Sequence, residues 1–284
     1  MALIIHFFRK NNLEKLDFSK VLEYFENLPN FKIYYVSDYV EIVYEDREFS
    51  FKYRYLITKQ SRVSKIYELS PMYTNINFLL EMPVLIPSFL AKEILTITQK
   101  LCKIFDLDIY HDSFADVQSF NLVDVLVLFE NVRSSYIDEH GLQGKITYDN
   151  EKLNIICKYQ RSVDSLKEHY QNSVDVNYCV PIVSEEAGIS GISYNWKFGS
   201  PSIFPPFVDY FFIETEDELL FIKREDFYRT LNKYFTEIKT FLPDLYVIKG
   251  KQVKTVKKEL KKLRKCHIDI GNYQRLRLCD VIEE

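Results

Sequence analysis

The residues best suited to metal-dependent chemistry lie in one acidic segment of the first half of the chain. Asp106, Asp108 and Asp112 fall within seven residues. On a strand, Asp106 and Asp108 would share one face, and paired carboxylates of this kind hold Mg²⁺ in phosphoryl-transfer sites. Such sites usually also contain a glycine turn that grips the phosphates, and the first 140 residues contain no glycine. A metal-dependent phosphoryl-transfer enzyme is therefore only our third hypothesis, since a strand edge and a turn explain these acids more simply.

Patterns that mark other enzyme classes are missing from the sequence. The seven glycines, all from Gly141 onward, form neither a dinucleotide fingerprint nor a P-loop. The five histidines show no HExxH spacing, and no GxSxG serine accompanies them. Cys266 and His267 are adjacent, and adjacent side chains on a strand point to opposite faces, which disfavours a nucleophile and base pair. The sequence therefore favours a protein without catalytic residues, cofactors or a bound metal ion.

The strongest charge feature is the segment Lys249–Lys265. It contains nine lysines or arginines and one acid, so its net charge is +8, which leaves −12 on the rest of a chain whose total is −4. Apolar residues at spacings of three and four predict one helix over 251–265 with its lysines on the solvent side. Such lysines can neutralise the phosphates of nucleic acid or of another polyanion. The candidate polyanion-binding residues are Lys254, Lys257, Lys258, Lys261, Lys262 and Lys265.

A simpler interpretation of this segment is a solvated, lysine-rich helix that balances the acidic remainder of the protein. No aromatic residues for stacking on bases are interleaved with the lysines. The negative net charge of the chain also disfavours a general nucleic-acid binder. Polyanion binding is therefore our second hypothesis.

Aromatic residues and prolines are concentrated at 194–207. The only tryptophan of the chain, other aromatic rings and three prolines can together form a rigid apolar surface for a protein partner. The alternative is that these rings are the inward face of a strand that the prolines terminate. Our first hypothesis is a non-catalytic interaction protein, of adaptor or inhibitor type. Its candidate partner-binding residues are Tyr194, Trp196, Phe198, Phe204 and Phe207.

Hydrophobic periodicity predicts the elements that must position these candidates. Apolar residues at helical spacing indicate helices, and alternating apolar residues, as over 49–57, indicate strands. The predicted helices are 17–28, 88–105, 120–139, 150–170, 226–242 and 251–265. The predicted strands are 1–8, 31–36, 39–44, 49–57, 75–82, 107–110, 174–183, 189–198, 208–215, 218–223, 245–248 and 275–282.

These elements predict an α+β fold with two lobes, each a mainly antiparallel sheet packed against helices. A polar, turn-prone stretch at 138–144 separates residues 1–140 from residues 146–284, and the second lobe contains the basic helix. The helix-to-strand pattern beginning at Asp17 resembles the one beginning at Asp226. A distant internal duplication and two unrelated capped helices both explain this resemblance.

Cysteine usage and hydropathy predict the compartment. The five cysteines are widely spaced and odd in number, which favours free thiols in a reducing cytoplasm. The longest charge-free stretches are too short to span a membrane, so we expect no membrane partner. A sheet edge or an aromatic patch could also pair two copies of the chain, which leaves a homodimer open.

Overall fold

The computed structural model describes residues 2–142 and 145–284. The chain divides into two compact units, Met1–Gln143 and Gly144–Glu284. Both contain helices and strands, which confirms the α+β class. All five cysteines are free thiols. Within the described residues, no helix combines the length and apolar character needed to cross a bilayer.

The first unit is built on a seven-stranded antiparallel sheet. Its strands are β1 (Ala2–Lys10), β2 (Phe31–Tyr35), β3 (Tyr39–Asp46), β4 (Phe51–Thr58), β5 (Tyr73–Pro83), β6 (Asp108–Tyr110) and β7 (Gln118–Ser119). They lie in the order β2-β3-β4-β5-β1-β6-β7. Its α-helices are α1 (Phe18–Glu26), α2 (Ser88–Phe105) and α3 (Leu122–His140).

Strand alternation places large apolar side chains of this unit on the face that α1 and α2 cover. Phe7 of β1 is fully buried there. Tyr55 of β4 packs against Phe25 of α1, with ring centroids 4.8 Å apart, and the Tyr55 hydroxyl lies 2.9 Å from the Thr98 hydroxyl of α2. On the opposite face, Phe8 packs with side chains of the segment that connects β4 to β5.

The second unit contains a five-stranded sheet and two smaller ones. Its strands are β8 (Ile146–Tyr148), β9 (Cys179–Ser184), β10 (Ile189–Lys197), β11 (Ser202–Phe204), β12 (Tyr210–Glu214), β13 (Leu219–Lys223), β14 (Thr236–Glu237), β15 (Tyr246–Ile248), β16 (Gln274–Arg275) and β17 (Val281–Glu283). The sheet orders are β13-β12-β10-β9-β16, β11-β15-β14 and β17-β8. The β10–β12 and β8–β17 pairs are parallel. Its α-helices are α4 (Asn150–His169), α5 (Arg224–Leu231), α6 (Lys251–Val256) and α7 (Leu260–Lys265).

Both faces of the five-stranded sheet bury aromatic side chains. On one face, Phe211 of β12 stacks on Phe227 of α5, with ring centroids 3.8 Å apart. On the other face, Phe212 and Phe221 pack against Ile270 of the segment that follows α7. The sheet therefore forms the middle layer of this unit.

Two helices differ from their prediction. The predicted helix 226–242 ends as an α-helix at Leu231, and β14 pairs with β15 instead of continuing the helix. The predicted helix 251–265 is divided into α6 and α7 by a 3₁₀ turn at Lys257–Glu259. Asp17 caps α1, whereas Asp226 lies inside the first turn of α5, so the two resembling segments fold differently.

Candidate functional site

The basic segment lies on the second unit with its apolar side inward. Val256 and Leu263 are fully buried, and all six candidate lysines are exposed. The segment's one acid, Glu259, is also buried, at 5% exposure. It follows Val256 by three residues and precedes Leu263 by four, which places it on the same helical side.

Glu259 anchors the segment to the helical turn that follows α5. One carboxylate oxygen accepts a hydrogen bond from the Tyr234 hydroxyl at 2.8 Å and pairs with Lys233 Nζ at 2.9 Å. The other oxygen pairs with Lys262 Nζ at 2.7 Å. Hydrogen bonds from Lys262, Lys233 and Tyr234 lower the pKa of Glu259 to about 2. The acid is thus charged at neutral pH and is already paired with the ammonium groups of Lys233 and Lys262.

Four lysines follow one line along the outer side of the segment. Lys254, Lys258, Lys261 and Lys265 are spaced by four, three and four residues. All four are exposed, whereas Val256, Glu259 and Leu263 are buried, so the four lysines lie on the side of the segment away from the core. None of them makes an ion pair with a described residue. At about 1.5 Å per residue in the α-helical parts and about 2.0 Å in the 3₁₀ turn, the row is roughly 18 Å long. We call these four residues the lysine ridge.

The two remaining candidate lysines have other positions. Lys262 pairs with Glu259, so its charge is partly neutralised by that carboxylate. Lys257 passes over Gly199, where a Cβ would lie 2.8 Å from Lys257 Cε. Gly199 also has a φ of +76°, a backbone conformation that favours glycine, whereas the exposed Lys257 side chain could move away from a Cβ.

An open groove of about 610 Å³ lies beside Lys257. It is lined by residues 197–200, by residues 214–217 and by two residues of the basic segment, Lys257 and Leu260. We call it the Phe198 groove, because Phe198 and Leu260 supply its large apolar side chains. Three exposed carboxylates line it as well, those of Glu214, Glu216 and Asp217.

The aromatic candidates do not form a surface, which corrects the sequence interpretation. Tyr194, Trp196 and Phe204 are at most 1% exposed. The Trp196 ring packs against Phe204 and Phe227, with centroids 5.3 and 5.8 Å away. These side chains belong to the core because α5 and the three-stranded sheet cover the strand face from which they project.

The other two aromatic candidates, Phe198 and Phe207, are half-buried. Phe207 has a φ of +55°, and its carbonyl accepts a hydrogen bond from the Tyr148 hydroxyl at 2.7 Å. Of the five candidates, Phe198 lines the groove beside Lys257 and the other four do not. The prolines at 205 and 206 are buried with the core.

The three candidate metal ligands are not brought together. Asp106 ends α2 with a φ of +52° and Asp108 accepts a hydrogen bond from the Ser119 hydroxyl at 2.9 Å. Both line another groove, of about 470 Å³, which Asp112 does not line. Asp112 instead acts electrostatically on His6, at another position of the sheet. Within residues 2–142 and 145–284, no three His, Cys, Asp or Glu side chains are arranged to hold a metal ion.

The His267 ring, next to Cys266 in the sequence, makes a structural hydrogen bond to the sheet. The Nδ1 atom of His267 accepts a hydrogen bond from the Phe221 backbone N–H at 3.0 Å. This bond ties the end of α7 to β13. It occupies the ring nitrogen that a neighbouring thiol would need as a base.

Sequence reasoning missed two features of this region. The inward role of Glu259 was available from its spacing to Val256 and Leu263. The Phe198 groove was not, because it joins three segments that are distant in the sequence. No known protein family, curated protein or solved structure matches this chain. Its function therefore has to be argued from the site itself.

Proposed function

We propose that this protein is a non-catalytic binding protein that holds a polyanion, such as nucleic acid, on its lysine ridge. The observation that carries the proposal is the separation of charge within the basic segment. Glu259 is buried and paired with lysines, while Lys254, Lys258, Lys261 and Lys265 form one exposed row and make no ion pair with a described residue. An extended polyanion matches a row of this kind better than a small anion does.

The ridge also has an energetic cost that a polyanion would remove. Like charges three or four residues apart on a helix repel each other by about 0.2–0.5 kcal/mol per pair. The three successive pairs of the ridge carry this cost, and no acid among the described residues forms an ion pair with them. A solvated surface helix normally mixes both signs of charge, which avoids the repulsion.

The free cysteines support a reducing cellular compartment for this protein. All five cysteines are free thiols, and four of them are buried. Unpaired cysteines of this number fit a reducing compartment. We therefore propose that the protein acts in the cytoplasm.

The salt dependence of binding tests the proposal. Fluorescence anisotropy with the full-length protein would measure affinity for a labelled 20-nucleotide single strand, a duplex and heparin between 50 and 200 mM salt. Four phosphate contacts predict a slope of about −2.8 in log affinity against log salt for the single strand, or a loss of about 50-fold over this range. Replacing the four ridge lysines by glutamine should abolish this salt-sensitive binding.

A matched control removes the same number of charges elsewhere. Lys15, Lys20, Lys92 and Lys100 of the first unit are also exposed and have no ion pair with a described residue. Their replacement by glutamine should leave the salt slope unchanged. Equal losses in both variants, or no binding of any probe by the wild-type protein at 50 mM salt, would overturn the proposal.

A further inference from the structure

We infer that the polyanion is a single-stranded nucleic acid, and that the Phe198 groove takes one of its unstacked bases, with preference for a base that carries an exocyclic amino group. This inference rests on the proposed function of the lysine ridge. The ridge would contact phosphates, and the groove would contact a base.

The groove and the ridge are neighbours in the structure. Lys257 lines the groove, and it lies three residues after Lys254 and four before Lys261 on the basic segment. Its stem passes close to Gly199, which also lines the groove. A strand whose phosphates follow the ridge therefore has its bases within reach of the groove.

The apolar side chains of the groove suit a base. Phe198 is half-buried and fixed in position, with its ring edge-to-face on Trp196 at 5.3 Å and its backbone N–H donating to the Glu214 carbonyl at 2.8 Å. A fixed aromatic ring is a good stacking platform because little side-chain freedom is lost on binding. Leu260 supplies a second apolar side chain. The volume, about 610 Å³, lies within the range of about 300–1,000 Å³ that small-molecule sites have.

The charges of the groove disfavour phosphate and select among bases. Glu214, Glu216 and Asp217 are exposed and make no ion pair with a described residue. Two cations, Lys197 and Lys257, also line the groove, so its lining carries a net charge of −1 and attracts phosphate less than the ridge does. The carboxylates are acceptors, so they favour the amino group of cytosine and disfavour the carbonyl oxygen at the same position of thymine.

A duplex does not fit this arrangement. Its bases are stacked and paired, and extruding one of them costs a few kcal/mol. A single strand presents its bases without that cost, and stacking on aromatic side chains is the usual way in which proteins hold them. The geometry thus favours a single strand over a duplex.

Two homopolymers provide matched probes. The oligonucleotides dC20 and dT20 have the same backbone charge. Their bases differ in the amino or carbonyl group that the carboxylates would contact, and in the C5 methyl group of thymine. We expect the full-length protein to bind dC20 about tenfold more tightly than dT20, as one good base contact provides. A 20-base-pair duplex should bind more weakly than dC20 at the same salt concentration.

Two groove variants separate stacking from selection. Replacing Glu214, Glu216 and Asp217 by their amides should bring the dC20 to dT20 affinity ratio close to one. Phe198→Ala should weaken both oligonucleotides about tenfold without changing the salt slope. As a control, replacing Glu151, Glu168 and Glu225 by glutamine removes three exposed acids outside the groove. This variant should preserve the dC20 to dT20 affinity ratio.

The outcomes distinguish the groove from the ridge. A ratio near one in the wild-type protein, a ratio that survives the amide variant, or a duplex bound as tightly as dC20 would overturn the groove inference. None of these results would affect the proposed function if binding stays salt-sensitive and requires the ridge. Loss of binding to every probe would instead overturn the proposed function itself.

Discussion

Replacement of Trp196 by alanine tests the assignment of the aromatic cluster to the core. The side chain is 1% exposed, and its indole N–H donates to the Ser200 carbonyl at 3.2 Å. A buried aromatic side chain removes about 150–250 Å² from water, or about 4–6 kcal/mol at about 25 cal/mol per Å². Alanine keeps part of that gain but leaves a cavity, so we expect a destabilisation of about 3–5 kcal/mol.

Hydrogen exchange in the full-length protein measures this effect locally. Peptides from β10 and β12 report the free energy of opening of the second unit. The method does not depend on tryptophan fluorescence, which the variant has lost together with its only tryptophan. Phe198→Ala is the matched control two residues away, and its half-buried ring should cost no more than about 1 kcal/mol. A change below about 1 kcal/mol for Trp196→Ala would refute the core assignment and restore Trp196 as a surface residue.

Two further predictions concern stability. Burial lowers the pKa of His6 to about 4, so between about pH 6.5 and 4 the unfolded chain binds a proton there that the native chain does not. The free energy of unfolding should therefore fall by about 3 kcal/mol from pH 7 to pH 4, and urea unfolding of His6→Gln should lack this part of the loss. Gly191→Ala would place a Cβ 2.7 Å from Asp209 Oδ2, and should cost about 1–3 kcal/mol in the same assay; an unchanged midpoint would contradict the contact.

Elements with strong local signals were predictable from the sequence. The bounds of α2, Ser88–Phe105, agree with the prediction because Pro87 precedes a long apolar period and Asp106 ends it in a left-handed conformation. Alternation along β4 placed Tyr53 and Tyr55 on one face, and both are buried. In these cases the local preference and the tertiary environment favour the same structure.

The sequence failed where tertiary contacts decided the outcome. Phe235 was predicted to continue a helix, but its ring packs 5.2 Å from Phe204 and the next two residues pair with β15. The helical period of this region could not reveal a strand partner ten residues further along the chain.

The candidate site shows the same limit. Alternation at Tyr194, Trp196 and Phe198 is compatible with a core face or with a binding surface, and the sequence does not say whether another layer covers that face. Phe204 and Phe227 cover Tyr194 and Trp196, while the end of the strand leaves Phe198 half-buried at the groove. The exposure of the lysines in the basic segment was easier to predict, because it does not depend on which other element packs nearby.

The charge distribution of the whole chain strengthens the case for one confined binding site. The segment Lys249–Lys265 carries +8, and the rest of the chain carries −12. An acidic remainder repels polyanions, so it suppresses the scattered, non-specific binding that a uniformly basic protein shows. On the proposed function, a polyanion binds at the basic segment, and the carboxylates of the Phe198 groove limit that region on one side. The negative net charge of the chain, which first argued against nucleic-acid binding, is therefore compatible with the proposed single-strand binder, because the positive charge is concentrated in one segment.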